Sequence, residues 1–423
     1  MKQLTTPSVG SRAPRTVVMS VLLVVALLAG AGISQFITQV GIAQDRFSNA
    51  SNYSIIGETY DVIRENYVLQ ADFTDEELVW GATRGMIETL GDTDHSRFLN
   101  PEEAIDWINS GNNELIGIGI SVDLTGDLPV VIYPMKDSPA MKAGIQPGDS
   151  IVEIDGVDIT DMDPREATDL ITGEAGTDVT LKLIRQGETQ PYEVTITREK
   201  IEIDPVQYAM LPNNVLWLRL DQFSRGSSDR VAEGLAWGEA QGMTGVIFDL
   251  RGNPGGFVIE AEAVAAQFLP PGSPLYQELD ITGDTKTLET YTEDGAYLEG
   301  PLVVLVNENS ASASEIVSSA LMESGRADVV GLTTAGTGTV LLPFDLSDGS
   351  MAVIGIELFL TGYGTDIYKH GVEPTHEVEY SEELNAYPAF PASLSIDEGT
   401  MDQATFDALE DPQLHFAFDL LPE

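Results

Sequence analysis

Four short runs of almost unbroken apolar character, VLWLRL at 215–220, GVIFDL at 245–250, LVVLV at 302–306 and ADVVGL at 327–332, recur between segments of helical spacing such as SSDRVAEGLAWGEAQG at 227–242. A strand that is apolar at successive positions has no face for water and must be covered on both sides. Alternation with helical segments predicts strand–helix–strand crossovers, and therefore an α/β domain at about 201–380. The chain has 423 residues, 43% of them apolar, which is enough for a large core and for further domains.

Upstream the texture differs. Residues 16–44 carry no charge, and VVMSVLLVVALLAGAGI at 17–33 is long enough to cross a bilayer as a helix. Lys2, Arg12 and Arg15 precede it and Asp45 follows it, so the basic-flank rule puts residues 1–44 down as a cytoplasmic stub and transmembrane anchor, with the bulk of the chain extracytoplasmic. A cleaved signal peptide is the alternative. Residues 45–113 read as a helical region. Apolar residues fall at helical spacing over Tyr53–Val68 and Asp75–Leu90, which suggests two packed helices. Asn100, Pro101 and the acids after them mark the start of a third. From 114 to 200, glycines and Pro147 punctuate short alternating strands that end in VTLKLIRQG and YEVTITREK, a small β-rich module. Residues 381–423 read as an acidic, irregular tail without chemistry.

Formal net charge is −47, from 68 acidic against 21 basic residues spread along the chain. Phosphate binding draws on clustered Lys and Arg, so nucleic acid is not an expected partner. With no Cys and only four scattered His, neither thiolate chemistry nor a zinc site is indicated, and no metal or organic cofactor is implied.

Two stretches carry candidate chemistry. DLRGNPGG at 249–256 follows an apolar strand, at the end where α/β folds place ligands. Gly255 and Gly256 can present backbone N–H groups to an oxyanion, or can serve only a tight turn. SASASE at 310–315 follows LVVLV and opens a helical pattern, and a serine there needs a partner to take its proton.

Taken in order, WGATRGMIETLGD, SPAMKAGIQPGDSIVEIDG, DLRGNPGG and SASASE resemble the carboxy-terminal processing (tail-specific) serine peptidases, over about residues 53–379. The resemblance implies an α/β crotonase-like core with an inserted β-rich PDZ domain at 114–200, beside the helical N-terminal region and one N-terminal transmembrane helix. A PDZ module captures a chain end as an added strand, and Gly117, Ile118, Gly119 and Ile120 are the implied peptide-binding loop. The implied partners are proteins or peptides with free C-termini, with the membrane engaged through 16–44. An oligomer is compatible with the sequence.

The family pattern makes Ser312 the nucleophile, with Ala313 and Gly255 or Gly256 forming the oxyanion hole. Ser310 and Ser314 then serve as caps or packing residues of a helix beginning near Glu315. The family's general base is a lysine in a GKGTVQ motif. Here AGTGTVLLP at 335–343 keeps the glycines and the Thr-Val pair but places Thr337 where the lysine belongs. Three explanations stand. Another residue supplies the base, His95 being the tentative candidate ahead of Lys369. Alternatively, the protein is a pseudoprotease, a binding or adaptor protein for C-terminal tails. In the third, Thr337 or a water relays the proton to an acid.

Overall fold

The computed structural model describes residues 53–379 and 399–422, apart from short breaks at 93–94, 125, 127, 136, 161, 163, 186, 189 and 292–294. The proposed anchor at 16–44 lies outside the described residues. Among the described residues no helix is long and apolar enough to cross a membrane. The chain divides into two units after Ala82.

The first unit holds the helix Ser54–Asn66 and the start of the helix Asp75–Glu88. Both were expected from spacing, but packing is slight: the first helix buries none of its residues. The turn between them is fastened by Arg64, whose Nη1 donates to the carbonyls of Gln70 and Phe73 at 2.8 Å and whose Nη2 pairs with Asp75.

In the second unit the expected third helix runs Pro101–Gly111. Asn100 caps it by accepting from the N–H groups of Glu102 and Glu103, and Glu103 reaches back to the Asn100 N–H at 2.7 Å, closing a capping box.

The core is a seven-stranded sheet in the order His376–Glu377, Asp328–Gly331, Leu302–Val306, Gly245–Asp249, Val215–Leu220, Val206–Met210 and Gly399–Thr400. Its pairs are parallel except where Val206–Met210 meets Val215–Leu220. The alternation of side chains across each strand explains the apolar runs. Leu216, Leu218, Val246, Phe248, Val304 and Val329 point into one cluster with the crossover helices Ser227–Ala240, Val258–Phe268 and Ala313–Glu323. Trp217, Ile247, Val303, Leu305 and Val330 point into a second cluster on the other face.

That second face corrects the sequence reading. Residues 381–423 were expected to form an acidic, irregular tail. Instead 399–422 add an edge strand and two helices, Gln403–Asp407 and Pro412–Leu420, whose Met401, Phe406, Leu414, Ala417 and Leu421 are buried against the sheet. The acids had masked an amphipathic pattern. LVVLV needs cover on both faces, and the end of the chain supplies one of them.

A five-stranded antiparallel sheet, built on the long strand Met351–Thr361, carries Thr339–Asp345 on one side of it and Arg97–Leu99 on the other. It brings the His95 region to the segment that bears Thr337.

The β-rich module is a six-stranded sheet, and Ile120–Asp123 forms one edge of it. Its core includes Ile118, Ile151, Leu181, Leu183 and Ala167, the last from a short helix Pro164–Asp169. Chain entry and exit run side by side, since Glu114–Gly117 pairs antiparallel with Glu199–Glu202.

Candidate active site

Ser312 lies between the strand Leu302–Val306 and the helix Ala313–Glu323, as N-cap residue, with φ 53° and ψ −112°. A side-chain-bearing residue in that region stores on the order of 1–3 kcal/mol unless its surroundings impose it. Here they do. Ala311 N–H donates to Asn253 O at 3.0 Å, Ser314 Oγ donates to the same carbonyl at 2.9 Å, and Ser310 Oγ donates to Leu250 O at 2.8 Å. The helix thus begins two residues earlier than expected. Ser310 and Ser314 stitch the Ser312 turn to DLRGNPGG rather than capping the helix.

Within DLRGNPGG, Asn253 is fully buried and organises the turn, a role the sequence did not reveal. Its Nδ2 donates to Leu220 O at 2.8 Å and its Oδ1 accepts from Gly255 N–H at 2.9 Å. Gly255 has φ +97°, and a Cβ there would lie 2.7 Å from Ser312 Cβ and 2.9 Å from Ala313 N, so only glycine allows the two turns to touch. Gly256, at φ +142°, packs against Phe223, whose carbonyl would be 2.3 Å from an added Cβ. Because Asn253 takes the Gly255 N–H, the two glycines differ. The N–H groups of Gly256 and Ala313 have no acceptor among the described residues.

On the other side of Ser312 the key group is Glu315, fully buried. Its Oε1 accepts from Thr334 Oγ1 at 2.6 Å and Gly336 N–H at 2.7 Å. Its Oε2 accepts from Ser312 N–H at 2.8 Å, Thr337 Oγ1 at 2.6 Å and Thr337 N–H at 3.1 Å. The Thr337 hydroxyl donates to Glu315 and accepts from the Ser312 N–H at 2.8 Å. Glu315 thus gathers five donors from the Ser312 and Thr337 turns.

His95 meets the chain two residues beyond Thr337, where its Nδ1 hydrogen-bonds the hydroxyl of Thr339. Burial lowers the imidazole to about 4, with Asp92 opposing and Arg97 reinforcing the shift. The ring is therefore neutral at pH 7. In the tautomer whose Nδ1–H donates to Thr339, Nε2 is the nitrogen left to accept a proton. No hydrogen bond joins His95 to Ser312 among the described residues. Lys369 is exposed and sits on the Thr337 loop, its N–H donating to Gly336 O at 2.7 Å, but its Nζ donates to Gly91 O at 2.9 Å and not to Ser312.

In the β-rich module, Gly117 ends the entry strand, Ile118 is buried, and Ile120 begins the edge strand, with Gly119 between them at φ +73°. A Cβ on Gly119 would lie 2.5 Å from Ser138 Cβ. The loop is held by Ala140 N–H to Ile118 O and Met135 N–H to Gly119 O, both at 2.9 Å. Ile120–Asp123 lies at the edge of its sheet, the kind of edge to which an extended peptide adds as a strand.

Comparison with known proteins agrees with this arrangement. The profile of Peptidase family S41 matches residues 214–378 and that of the PDZ domain matches residues 130–185. The chain is 35% identical over 342 residues to a carboxyl-terminal-processing protease of Synechocystis, covering 78% of each. It is 33% identical over 329 residues to the carboxy-terminal processing protease CtpA of Bacillus subtilis, covering 78% of this chain and 69% of that one. A crystal structure of a putative S41 protease from Bacteroides fragilis aligns with TM-score 0.54 at 18% identity, over 79% of this chain and 93% of that one, which speaks to the fold alone. Both relatives are proteases by name, so they lend nothing to a binding-only role.

Proposed function

The chain belongs to peptidase family S41, whose members similar to it are serine-type carboxy-terminal processing proteases, and from that premise we propose that it hydrolyses peptide bonds near the C-termini of protein substrates through an acyl-enzyme on Ser312. Ser312 Oγ attacks the carbonyl carbon as its proton passes to His95 Nε2. The oxyanion accepts hydrogen bonds from the N–H groups of Gly256 and Ala313, a contribution typically worth about 3 kcal/mol of barrier per donor. Collapse expels the amine, which takes the proton from His95, and water then releases the acyl group by the same route in reverse.

The observation that carries this reading is the strained Ser312 turn held against a glycine, with two backbone donors beside it that nothing among the described residues occupies. A neutral, desolvated imidazole supports His95 as the base. The gap between it and Ser312 would close in the substrate complex, where catalytic hydrogen bonds tighten. The substrate tail would add as a strand along Ile120–Asp123, its carboxylate held by the loop Gly117–Ile120. The uncharged stretch 16–44 would anchor the chain in a membrane, with the catalytic part extracytoplasmic.

The test uses the full chain in detergent, incubated with a serine-directed fluorophosphonate and with an unfolded protein substrate, beside Ser312→Ala and His95→Ala. Labelling and cleavage in the parent, absent in Ser312→Ala and strongly reduced in His95→Ala, are expected. A parent that neither labels nor cleaves would overturn the proposal. Labelling that survives in His95→Ala would remove His95 from its role.

A further inference from the structure

The oxyanion turn is tied to the far end of the chain by a buried guanidinium. Arg251 immediately precedes Gly252–Gly256. One edge of it forks onto Asp249, with Nε to Oδ1 at 3.0 Å and Nη2 to Oδ2 at 2.7 Å. Asp249 Oδ1 also accepts the Arg251 N–H at 3.0 Å, and Asp249 Oδ2 accepts from Trp217 Nε1 at 3.1 Å. Among the described residues the remaining Nη1 has acceptors only from the C-terminal segment. Asp411 Oδ1 accepts it at 2.9 Å and Gln413 Oε1 accepts it at 3.1 Å. Both residues are held in turn: Asp411 Oδ1 caps the final helix by accepting from Leu414 N–H at 3.0 Å, and Gln413 Nε2 donates to Val378 O at 2.8 Å. All four side chains are buried, with Asp249 and Gln413 at 0% exposure.

A buried guanidinium cannot shed its proton, so each of its N–H groups needs an acceptor. Take away the two on Nη1 and Arg251 must tilt toward water. Its backbone N–H is fixed to Asp249 and its successor Gly252 donates to Asn307 Oδ1 at 2.9 Å, so the tilt is felt in the turn. Asn253 and Gly255, which set the direction of the Gly256 N–H, come next.

We propose that Asp411 and Gln413 are positioning residues for the hydrolytic reaction: acting through Arg251, the last helix of the chain fixes the turn that aims the Gly256 N–H at the oxyanion. The inference rests on the oxyanion role of Gly256 given above. It makes the end of the chain part of the catalytic apparatus, and it requires an effect on turnover without an effect on tail capture.

The experiment compares full-length Asp411→Ala, Asp411→Asn and Gln413→Met with the parent. It reads kcat and KM on a peptide substrate, binding of a product-like C-terminal peptide, and deuterium exchange over 250–257 and over the module at 118–183. In Asp411→Ala, kcat should fall by at least about tenfold while KM and peptide binding stay within about twofold. Exchange should quicken over 250–257 and remain unchanged over 118–183. Asp411→Asn keeps an oxygen that can accept both bonds, so it should restore kcat to within about threefold of the parent. Gln413→Met, which keeps the volume and loses one acceptor, should lie between, and it decides the matter if Asp411→Ala does not fold. A folded Asp411→Ala with parental kcat, an unchanged exchange pattern at 250–257, or an Asn variant as impaired as the Ala variant would each overturn the inference. The exchange measurement is independent of activity. A parent inert to fluorophosphonate would therefore sink the proposed chemistry while this link is judged on exchange alone.

Discussion

On one side of Ser312 stand Gly255, Gly256 and Ala313, on the other Thr337 and His95, and the two sides are built from different materials. The first is backbone. Its geometry is set by Asn253, Ser310 and Ser314 bridging two strand-to-helix turns, and by contacts so close that a single methyl would break them. The second is side chain. Glu315 holds the Thr337 loop in place, but among the described residues neither Thr337 nor His95 hydrogen-bonds the serine hydroxyl. A site made of backbone cannot be altered without altering the fold. A proton acceptor can be exchanged by one substitution, and Thr337 stands where the sequence resemblance leads one to expect a lysine.

The largest test of that contrast is Ser312→Ala, which should lower kcat by on the order of 10⁶ while leaving both turns folded, read from hydrolysis and circular dichroism. Next is His95→Ala. If the exchangeable side has been refilled by this imidazole, kcat/KM should fall by about 10²- to 10⁴-fold. Its pH dependence sharpens the point. The imidazole ordinarily titrates near 6.5 and here is lowered to about 4 by burial, so activity should persist through pH 5 and fall only toward pH 4. Between those two values the unfolded chain binds the extra proton, so stability falls as pH drops below about 6.5, and the loss levels off below about 4. That loss is at most on the order of 3 kcal/mol, and acid-side melting curves should flatten by that amount in His95→Ala.

On the backbone side, Gly256→Ala forces a Cβ to 2.3 Å from Phe223 O, and should cost about 10²- to 10³-fold in kcat together with a lower Tm. Equal activity in that variant would break the comparison outright. Thr337→Val should do less. It removes the hydroxyl that links Ser312 N–H to Glu315 and should cost about 1–3 kcal/mol by denaturant unfolding, with activity reduced about tenfold. The smallest effect is general: with net charge −47, Tm should rise by a few degrees between low and molar salt as self-repulsion is screened.

Legibility in the sequence followed locality. The apolar runs announced the sheet, and Asn100 with Pro101 announced a helix end, because each depends on neighbours a few residues away. DLRGNPGG and SASASE could be placed for the same reason. What bridges distant segments stayed hidden. Nothing near Asn253 says that it will turn the Gly255 N–H aside, and nothing near Asp411 says that Arg251 will be waiting for it. The short helix Pro164–Asp169 escaped because one turn and a half gives no period to read. The closing helices were missed because their acids dominated the composition while Phe406, Leu414 and Leu421 did the packing.

The ribbon in which Glu114–Gly117 lies beside Glu199–Glu202 has a bearing on how such a protein can change. Paired strands put the two junctions about 5 Å apart, so the whole intervening module hangs from what is, for the core, a single point on its surface. A different module, or a two-residue turn, could be grafted across that point without either junction having to move. The module and the core can therefore diversify as separate inventions.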